Sequence, residues 1–357
     1  MDRATVDIYE AQSARYEAQR TPRLRARAEQ LGARLGGGLA VDLGSGPGWY
    51  TDALGPRTVA LDAAMAMLRR TREVAPGCLP VQADLAALPF RAGSLAGGWG
   101  RNTYVHLRAD EVPLALADLH RSLCVGAPVE LTLLAGDDEG RTTAATDDLP
   151  GRWFSTWPRA RLEDVVAGAG FDLDELAEAD APDTDVWRVR ATRARTLPDT
   201  VGPSMRLLVC GLNPSLRAAD ASVGFVTLGN RFWPAALAAG LVSRDRNPRH
   251  ALRHHGVGMT DLVKRATPRA DGLSAEEYRA GVARLDRLCR WLRPTSVCVV
   301  GLAGWRVAVD RHCQPGWQPQ HLGGCPVYVM PSTSGANAAT PPSVLEAHLR
   351  AAQHPLG

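Results

Sequence analysis

Lysine is almost absent from the 357-residue sequence, and long apolar runs and closely paired cysteines are missing altogether. Lys264 is the one residue of its type, so chemistry that needs a side-chain amine has a single candidate. No stretch of about 18 uncharged apolar residues occurs, which argues against a membrane-spanning helix. The seven cysteines form no C-x-x-C pair, so we expect reduced thiols and neither a structural zinc site nor an iron–sulfur cluster. The first residues, with Asp2 and Arg3, lack the apolar segment of a signal peptide, so we expect a cytoplasmic protein.

Charge is divided unevenly along the chain. The net charge is +3, but the sequence from Ser204 onward holds 18 Arg or Lys against 9 Asp or Glu, whereas the first 203 residues hold 23 against 29. A basic half joined to an acidic half indicates a module that binds a polyanion such as nucleic acid. Because 357 residues are too many for one ordinary domain, we expect domains at 1–192 and 205–357, with a Pro- and Gly-containing linker at 193–204.

Short apolar runs alternate with helical periodicity in both halves, which indicates an α/β fold built on doubly wound parallel sheets. In the first half, the pattern predicts helices within 1–38, from about 49, and at 64–72 and 111–123, and strands at 39–43, 58–61, 80–82, 97–99, 128–134 and 185–191. In the smaller second half, it predicts strands at 206–210, 296–300 and 326–330, and helices at 231–239, 274–292 and 342–352.

A glycine-rich turn, Asp-Leu-Gly-Ser-Gly-Pro-Gly at 42–48, follows the first predicted strand. Glycines let the backbone turn tightly and approach a ligand without a Cβ clash. The spacing is G-x-G-x-G rather than the G-x-G-x-x-G of dinucleotide-binding folds. Asp62 ends the next strand and Asp84 follows the third, so acids stand at three successive strand ends. Acids so placed suit ribose hydroxyls and an adenine amino group, which predicts a nucleotide cofactor.

These residues resemble the class I S-adenosylmethionine-dependent methyltransferases, in the branch with a short Leu-Pro-Phe element, here at 88–90. The resemblance covers about residues 5–191. It implies a Rossmann-like seven-stranded sheet that binds S-adenosyl-L-methionine. By that likeness the methionine end of the cofactor meets Asp42, Gly44, Ser45, Gly46 and Gly48, the ribose meets Asp62, and the adenine meets Asp84 and Leu85.

The methyl acceptor is not specified by the sequence. The segment that usually contacts the acceptor, Trp-Gly-Arg-Asn-Thr-Tyr at 99–104, lacks the Asn-Pro-Pro-Tyr of amino-methylating nucleic-acid enzymes and the Pro-Cys of C5-pyrimidine enzymes. Tyr104 and His106 are candidates to contact the acceptor, and a packed tyrosine and a surface histidine are the alternatives. The glycine pair at 97–98 departs from the family pattern and leaves loss of the activity open.

Two further segments change abruptly from apolar residues to Gly, Pro, Asn and Ser. They are Gly-Leu-Asn-Pro-Ser at 211–215 and Met-Pro-Ser-Thr-Ser-Gly at 330–335, and each follows a predicted buried strand. Ligands bind at the carboxyl ends of parallel strands. We therefore expect Asn213 and several hydroxyl groups to line one pocket.

These segments resemble the mismatch-specific uracil/thymine-DNA glycosylases of the uracil-DNA glycosylase superfamily, over about residues 206–350. Four elements carry the likeness in order: Gly-Leu-Asn-Pro at 211–214, Gly-Asn-Arg-Phe-Trp at 229–233, Gly-Val-Gly-Met-Thr-Asp at 256–261 and Met-Pro-Ser-Thr-Ser at 330–334. The resemblance implies a small α/β/α parallel sheet with no cofactor. It also implies removal of uracil, or thymine, from mispairs in double-stranded DNA, as in base-excision repair.

The same resemblance assigns roles in the excision of a base flipped out of the duplex. Phe225 would stack on the pyrimidine, and Leu212 and Asn230 would contact it. Asn213 would hold the attacking water, with the Thr260 hydroxyl orienting it. Because an amide is not a general base, we expect slow turnover that depends on departure of the anionic base, helped by backbone amides near the pocket.

Contacts to the DNA backbone are implied for the last element. Ser332, Thr333 and Ser334 would contact phosphates. Ala336 and Asn337 stand where the family inserts a wedge into the duplex, and some members have Arg or Leu there. Both are small for that purpose, so the preference for guanine opposite the target stays open. Further phosphate contacts are expected from Arg217, Arg231 and His321.

A glycosylase that also cleaves the strand needs an amine to form a Schiff base. Lys264 has no supporting motif, so we expect a monofunctional enzyme that leaves an intact abasic site. Two alternative interpretations stay open. In one, methyl transfer is the main activity and the second domain only docks on DNA; in the other, neither domain is active and the chain is a scaffold.

Overall fold

The computed structural model describes residues 1–178, 185–269, 272–337 and 339–355. The chain divides into two compact units. The first unit comprises Met1–Ala167 and Phe171–Ala194, and the second comprises Gly168–Gly170 and Arg195–Gly357. None of the helices in the described ranges has the length and apolar character needed to cross a membrane.

The first unit is built on a mainly parallel sheet. Its strands are β1 (Ala40–Leu43), β2 (Thr58–Asp62), β3 (Leu79–Gln82), β4 (Gly97–Arg101), β5 (Pro128–Ala135), β6 (Glu139–Arg141), β7 (Trp153–Trp157), β8 (Phe171–Glu178) and β9 (Val186–Arg193). Five parallel strands run in the order β3-β2-β1-β4-β5, followed by β9 and β8, which are antiparallel to their neighbours. A short hairpin of β6 and β7 joins the end of β5. The predicted seven-stranded sheet is confirmed, with this hairpin added.

The helices of the first unit are α1 (Arg3–Ala18), α2 (Arg25–Arg34), α3 (Met65–Val74), α4 (Val112–Ser122) and α5 (Arg159–Gly168). The helical region predicted within 1–38 is interrupted near Pro22, because proline is poorly tolerated inside a helix. Ala28 and Leu31 of α2 pack in a core cluster with Trp99. The helix predicted from about 49 is wrong. A single 3₁₀ turn forms at Asp52–Leu54 and ends at the glycine–proline pair at 55–56.

The second unit has a five-stranded sheet in the order β11-β10-β12-β14-β13. Its strands are β10 (Leu207–Gly211), β11 (Val257–Asp261), β12 (Val297–Val300), β13 (Gly316–Leu322) and β14 (Cys325–Met330). The first four strands in that order are parallel, and β13 is antiparallel to β14. The sequence pattern missed β13, since this strand contains Pro319 and a register shift, features that are confined to sheet edges.

Six helices of the second unit surround this sheet in the described residues: α6 (Leu216–Ala221), α7 (Phe232–Ala238), α8 (Pro248–His255), α9 (Ala275–Leu292), α10 (Leu302–Ala308) and α11 (Pro342–Ala351). Helices α7 and α11 pack against the sheet around a core that includes Phe232, Trp233, Tyr328 and Leu345.

Residues within the predicted linker at 193–204 are part of the folded units. Arg193 is the last residue of β9. Thr200 pairs with Met259 of β11 as an antiparallel bridge, with two backbone hydrogen bonds of 2.8 Å. Asp199 and Val201 are buried. This segment therefore covers the outer edge of β11, which protects the backbone groups of an otherwise open strand.

Candidate functional sites

The carboxyl ends of β1, β2 and β4 meet at a cavity of about 490 Å³ in the first unit. Gly44 and Gly46 turn the chain away from β1 with φ angles of 61° and 54°, in the left-handed region that favours glycine. The lining residues are Met1, Tyr9, Tyr16, Gly44, Gly46, Leu61, Asp62, Ala63, Met67, Leu85, Arg101, Asn102, Thr103 and His106. The cavity thus combines a glycine turn, an acid and apolar walls.

Asp62 is the acid that faces this cavity. Its Oδ2 accepts a hydrogen bond of 2.9 Å from the Gly46 backbone N–H, and its Oδ1 accepts one of 2.9 Å from Ala64 N–H. Burial raises the pKa of Asp62 to about 6, against the opposing effect of these backbone donors. The carboxylate is therefore fixed at the end of β2, at the place expected for a ribose-binding acid.

Asp42 does not reach the cavity, contrary to the sequence-based expectation. Its side chain is 2% exposed and accepts a hydrogen bond of 2.7 Å from Thr51 Oγ1. Burial raises the pKa of Asp42 to about 7. The 3₁₀ turn that replaces the predicted helix brings Thr51 back toward β1, so Asp42 stabilises the turn from within and lies outside the cavity lining.

Three other residues predicted to touch the cofactor also lie outside the lining. Ser45 and Gly48 are buried beside Thr71 of α3, and a Cβ at Gly48 would lie 2.7 Å from a Thr71 methyl group. The carboxylate of Asp84 lies 2.7 Å from the amino group of Met1. Gly44, Gly46, Asp62 and Leu85 do line the cavity together.

His106 lines the same cavity and its ring is held from both sides. Nδ1 donates to the Trp153 carbonyl oxygen at 2.7 Å, and Nε2 accepts from the Tyr9 hydroxyl at 2.8 Å. Burial lowers the pKa of His106 to about 4, so the imidazole is neutral at pH 7. Tyr104, by contrast, is 1% exposed, lies outside the lining and has a hydroxyl with no described hydrogen-bond partner. Tyr104 is therefore a packing residue, which was the alternative interpretation.

In the second unit, the carboxyl ends of four parallel strands, β10, β11, β12 and β14, meet at a cavity of about 760 Å³. Its lining residues are Leu197, Gly211, Leu212, Asn213, Pro214, Ser215, Ala218, Gly224, Phe225, Thr227, Asn230, Asp261, Val300, Ser332, Thr333 and Ser334. The three residues predicted to bind the base, Leu212, Phe225 and Asn230, share this cavity with Asn213.

The amide of Asn213 has a defined orientation. Its Nδ2 donates to Thr267 Oγ1 at 2.7 Å and to the Arg265 carbonyl oxygen at 3.0 Å. Backbone hydrogen bonds from Leu262 and Val263 to Gly211 and Leu212 tie the two loops together at 2.9 Å. Because Nδ2 is used by the protein, Oδ1 is the atom that remains to accept a hydrogen bond from a ligand or water.

Phe225 and Asn230 present complementary chemistry to the cavity. Phe225 has a φ of 58°, a conformation that costs energy for a bulky residue and recurs at functional positions. Its ring stacks on Phe232, with centroids 4.2 Å apart and planes at 22°. Asn230 Oδ1 accepts from the Phe232 backbone N–H at 2.9 Å, and no described residue accepts from its Nδ2. The cavity thus offers an aromatic ring and an amide donor.

The hydroxyl of Thr260 does not point into this cavity, contrary to the sequence-based expectation. It donates to Asp199 Oδ1 at 2.6 Å and accepts from Arg284 Nη2 at 2.9 Å. Lys264 Nζ and Arg284 Nη1 also donate to the Asp199 carboxylate, at 2.7 and 2.8 Å. Thr260 therefore belongs to a buried ionic network and lines only a smaller adjoining cavity of about 300 Å³.

Asp261, the next residue along β11, lines both cavities and was missed by the sequence analysis. Its side chain is 7% exposed, and burial raises its pKa to about 6. A Cβ built on Gly211 would lie 2.4 Å from Asp261 Oδ1 and 3.4 Å from the Phe225 ring. The glycine at the end of β10 therefore makes room for the carboxylate beside the aromatic ring, and this glycine was the available sequence signal.

The loop at 332–337 is held by its own polar groups. Ser332 and Ser334 hydroxyls accept from the backbone N–H groups of Ser334 and Ala336, at 3.2 and 3.3 Å. Asn337 Nδ2 donates to the Ser332 carbonyl oxygen at 2.8 Å. Ser332, Thr333 and Ser334 line the cavity, whereas Ala336 and Asn337 lie outside its lining. Asn337 thus stabilises the loop.

The three further side chains predicted to bind phosphate have different environments. Arg231 donates to the carbonyl oxygens of Thr340 and Asn337, each at 2.5 Å. These hydrogen bonds stabilise the loop and occupy the guanidinium, contrary to the predicted phosphate contact. Arg217 and His321 are exposed, and neither lines the cavity.

No cluster of three or more His, Cys, Asp or Glu side chains within the described ranges is placed to hold a metal ion. All seven cysteines are free thiols.

Two family models match the chain. Residues 198–352 match the uracil DNA glycosylase superfamily, and residues 41–129 match a methyltransferase domain. The chain thus joins a methyltransferase domain to a domain of the uracil DNA glycosylase superfamily, and both resemblances inferred from the sequence are confirmed at this level.

Solved structures similar to part of the chain include methyltransferases. The CcbJ methyltransferase from Streptomyces caelestis is 16% identical, with a TM-score of 0.46, over 54% of this chain and 100% of that chain. A 1,6-didemethyltoxoflavin-N1-methyltransferase from Burkholderia thailandensis, with bound 1,6-didemethyltoxoflavin and S-adenosylhomocysteine, is 16% identical, with a TM-score of 0.43, over 54% and 88%. An S-adenosylmethionine-dependent methyltransferase from Mesorhizobium loti is 19% identical, with a TM-score of 0.38, over 46% and 98%.

Proposed function

We propose that the second unit is a monofunctional DNA glycosylase that hydrolyses the N-glycosidic bond of uracil, and of thymine, in mispaired DNA, as the first step of base-excision repair. The observation that carries this proposal is the shared cavity at the strand ends, where Asn213, Phe225 and Asn230 lie together with the serine-rich loop at 332–334. The match of residues 198–352 to the uracil DNA glycosylase superfamily supports it.

The cavity suits a pyrimidine that has left the base stack. Flipping costs a few kcal/mol, and least for a mispaired base, which favours mispairs without any contact to the opposite base. Phe225 stacks on the flipped ring, and such stacking contributes about 1–3 kcal/mol. Asn230 Nδ2 donates to a base carbonyl oxygen, where negative charge develops as the base departs. Asn213 Oδ1 accepts a hydrogen bond from the attacking water and orients it.

Binding to the DNA backbone combines local and diffuse contributions. Ser332 and Ser334 lie at the cavity with small side chains that approach phosphates closely. The sequence from Ser204 onward has twice as many basic as acidic residues, which favours association with a polyanion. These contacts position the duplex and do not specify sequence.

The single lysine supports hydrolysis without strand cleavage. Lys264 Nζ donates to the Asp199 carboxylate at 2.7 Å and to the Leu197 carbonyl oxygen at 2.6 Å. These contacts engage the amine within the protein, and Lys264 does not line the cavity. No Schiff base with the sugar is therefore expected.

Asn213→Ala tests the glycosylase directly. The variant should release no uracil from a labelled duplex with a G·U mispair, because the water loses its acceptor, while duplex affinity stays within a few-fold of wild type. Asn247→Ala is the matched control, since Asn247 caps α8 outside the lining and should leave the rate unchanged. The proposal fails if the wild-type protein releases no base, or if Asn213→Ala releases uracil at the wild-type rate.

A second function is favoured by the cavity of the first unit. We propose that it binds S-adenosyl-L-methionine, because a positive-φ glycine turn, an acid at the end of β2 and apolar walls fit the amino-acid, ribose and adenine parts of that molecule. When bound, the cofactor supplies an electrophilic methyl group on a sulfonium. Asp62 binds the ribose hydroxyls and Leu85 packs on the adenine. His106, neutral and fixed by Tyr9, orients the methyl acceptor, whose identity is not specified.

Calorimetry with S-adenosyl-L-methionine tests this second function. Asp62→Ala should weaken binding by about tenfold or more, since two charge-assisted hydrogen bonds to the ribose are lost. Asp52→Ala is the control, because Asp52 pairs with Arg25 on the surface. Absence of measurable binding by the wild-type protein would contradict the proposal. The alternative is a methyltransferase whose second domain only docks on DNA. It predicts that tritium passes from labelled S-adenosyl-L-methionine to DNA, equally in wild type and Asn213→Ala, and that no uracil is released.

A further inference from the structure

Asp261 places a carboxylate inside the proposed base pocket, at the end of β11. It is the only acid in the cavity lining among the described residues. The geometry points to Asp261 as the group that takes the proton from the attacking water during glycosidic hydrolysis. This inference rests on the proposed glycosylase function and adds the proton acceptor which that function lacks.

Asn213 cannot serve as the proton acceptor, so the reaction needs another group. Its amide orients a water through Oδ1, but an amide does not accept a proton at neutral pH. The carboxylate of Asp261 is on the same edge of the sheet, because Gly211 of β10 and Asp261 of β11 are partners in register. Asn213 follows Gly211 by two residues, so the amide and the carboxylate approach one cavity from adjacent strands.

The local backbone is arranged to admit the carboxylate. A side chain at position 211 would meet Asp261 Oδ1 at 2.4 Å, so glycine is required for the observed placement. The same position is 3.4 Å from Cζ of Phe225, so the carboxylate lies near the edge of the ring expected to stack on the base. Arg284 donates to the backbone carbonyl oxygen of Asp261 at 2.9 Å, but no described residue donates a hydrogen bond to its carboxylate, so the carboxylate oxygens are available to a water molecule.

Four titratable or charged groups from the surrounding elements act on Asp261. They are Lys264 in the loop after β11, Asp199 in the segment covering the strand edge, Arg284 of α9 and the Cys210 thiol of β10. Burial outweighs the attraction of the cations and raises the pKa of Asp261 to about 6. The group is therefore ionised at neutral pH and basic enough to accept a proton.

The chemical step balances without a further reactant. The C1′–N1 bond breaks and its electron pair leaves with the base, where Asn230 donates a hydrogen bond. The water oxygen forms a bond to C1′, and the water proton passes to Asp261. The products are an abasic sugar and the pyrimidine anion; the anion takes up a proton at N1 from solvent, and Asp261 returns its proton to solvent.

Single-turnover release of uracil from a G·U duplex, measured from pH 5 to 8, tests the assignment. Wild-type rates should fall below pH about 6 with a slope of one, because protonation removes the base. Asp261→Asn should lower the rate at pH 7.5 by about 10²- to 10⁴-fold, the range that general base catalysis contributes. The variant should also lose the fall in rate below pH about 6, the acidic limb of the profile. Its affinity for a duplex containing uncleavable 2′-fluoro-deoxyuridine should stay within threefold of wild type.

Chemical rescue separates loss of the base from loss of the fold. Formate should restore part of the rate of Asp261→Ala but none of the rate of Asn213→Ala. Glu346→Gln, in a surface ion pair on α11, is the control for removing one negative charge. The inference is overturned if Asp261→Asn keeps the rate within threefold, if its acidic limb persists, or if formate has no effect. If the wild-type protein releases no uracil, the proposed function is overturned as well. If the wild type is active, Asn213→Ala is inactive and Asp261→Asn stays active, only this inference is overturned.

Discussion

Asp199→Asn should destabilise the second unit far more than any surface charge change. The Asp199 side chain is 4% exposed and receives hydrogen bonds from Thr260, Lys264 and Arg284. Lys264 and Arg284 are themselves only 14% and 9% exposed. An asparagine keeps the shape but removes the negative charge that accepts hydrogen bonds from both cations. Removing one partner of a buried ion pair costs about 3–5 kcal/mol.

The assay is native-state hydrogen exchange followed on peptides that contain β11, which reports on this unit alone. Asp220→Asn is the matched control, because Asp220 pairs with Arg195 at 2.6 Å while both side chains are about half exposed. An exposed pair contributes about 0–1 kcal/mol. The reasoning is refuted if Asp199→Asn lowers the free energy of opening no more than Asp220→Asn does.

The pH dependence gives an independent check. Burial acts to raise the pKa of Asp199, but the charges of Arg284 and Lys264 outweigh it and hold the pKa below its ordinary 3.8. A carboxyl whose pKa is lower in the folded state contributes stability above its unfolded pKa, and this contribution is lost as pH falls through the folded value. The difference between wild type and Asp199→Asn should therefore be constant near pH 7 and shrink below pH about 4.

Two further predictions concern the proposed base pocket. Phe225→Ala should weaken binding of the uncleavable duplex by about 5- to 150-fold, the equivalent of the 1–3 kcal/mol that stacking of a base on an aromatic ring contributes; Phe225→Tyr should restore binding, and an affinity unchanged in the alanine variant would mean that the ring does not contact the base. Borohydride added during turnover should trap no covalent DNA adduct, because Lys264 is paired with Asp199 outside the cavity; a trapped adduct lost in Lys264→Arg would show instead that this lysine is a nucleophile.

The topology of parallel sheets was enough to predict that both cavities lie at the carboxyl ends of strands. A parallel sheet brings the carboxyl ends of its strands to one edge, so the abrupt Gly-Leu-Asn-Pro turn after β10 and the serine-rich loop after β14 had to meet. Gly44 and Asp62 of the first unit line one cavity for the same reason. These predictions depend only on topology and on turn-forming residues, which are local properties of the sequence.

Asp42 was misplaced for a reason that is not local. The sequence showed an acid beside a glycine turn, which is equally compatible with a ligand and with a buried partner. The hydroxyl of Thr51 became that partner because the chain after the turn forms a single 3₁₀ turn, ended by the glycine–proline pair at 55–56, in place of a helix. A helix beginning at about 49 would not hold Thr51 against Asp42 in this way. The wrong helix and the wrong placement of Asp42 therefore have the same cause.

Arg284 carried a signal that the sequence analysis did not use. It lies on the face of α9 that also contains Gly281, Leu285 and Leu288, all buried. An arginine on the apolar face of a helix needs an acidic partner, because an unpaired buried charge is very costly. The partner, Asp199, is 85 residues away in sequence, within a segment whose prolines and glycine are typical of a linker. Only the folded chain identifies the pair.

The segment that contains Asp199 also explains why Asp261, and not the predicted Thr260, faces the larger cavity. All five residues of β11 are buried, so no alternation of polarity shows which side chains face the ligand. Residues around Thr200 pair with the open edge of β11 and place Asp199 against the side of the strand to which Thr260 points. Since successive side chains of a strand point in opposite directions, Asp261 is directed to the other side, where the cavity lies. A chain segment that covers a strand edge thus decides which of two adjacent polar residues is available for chemistry.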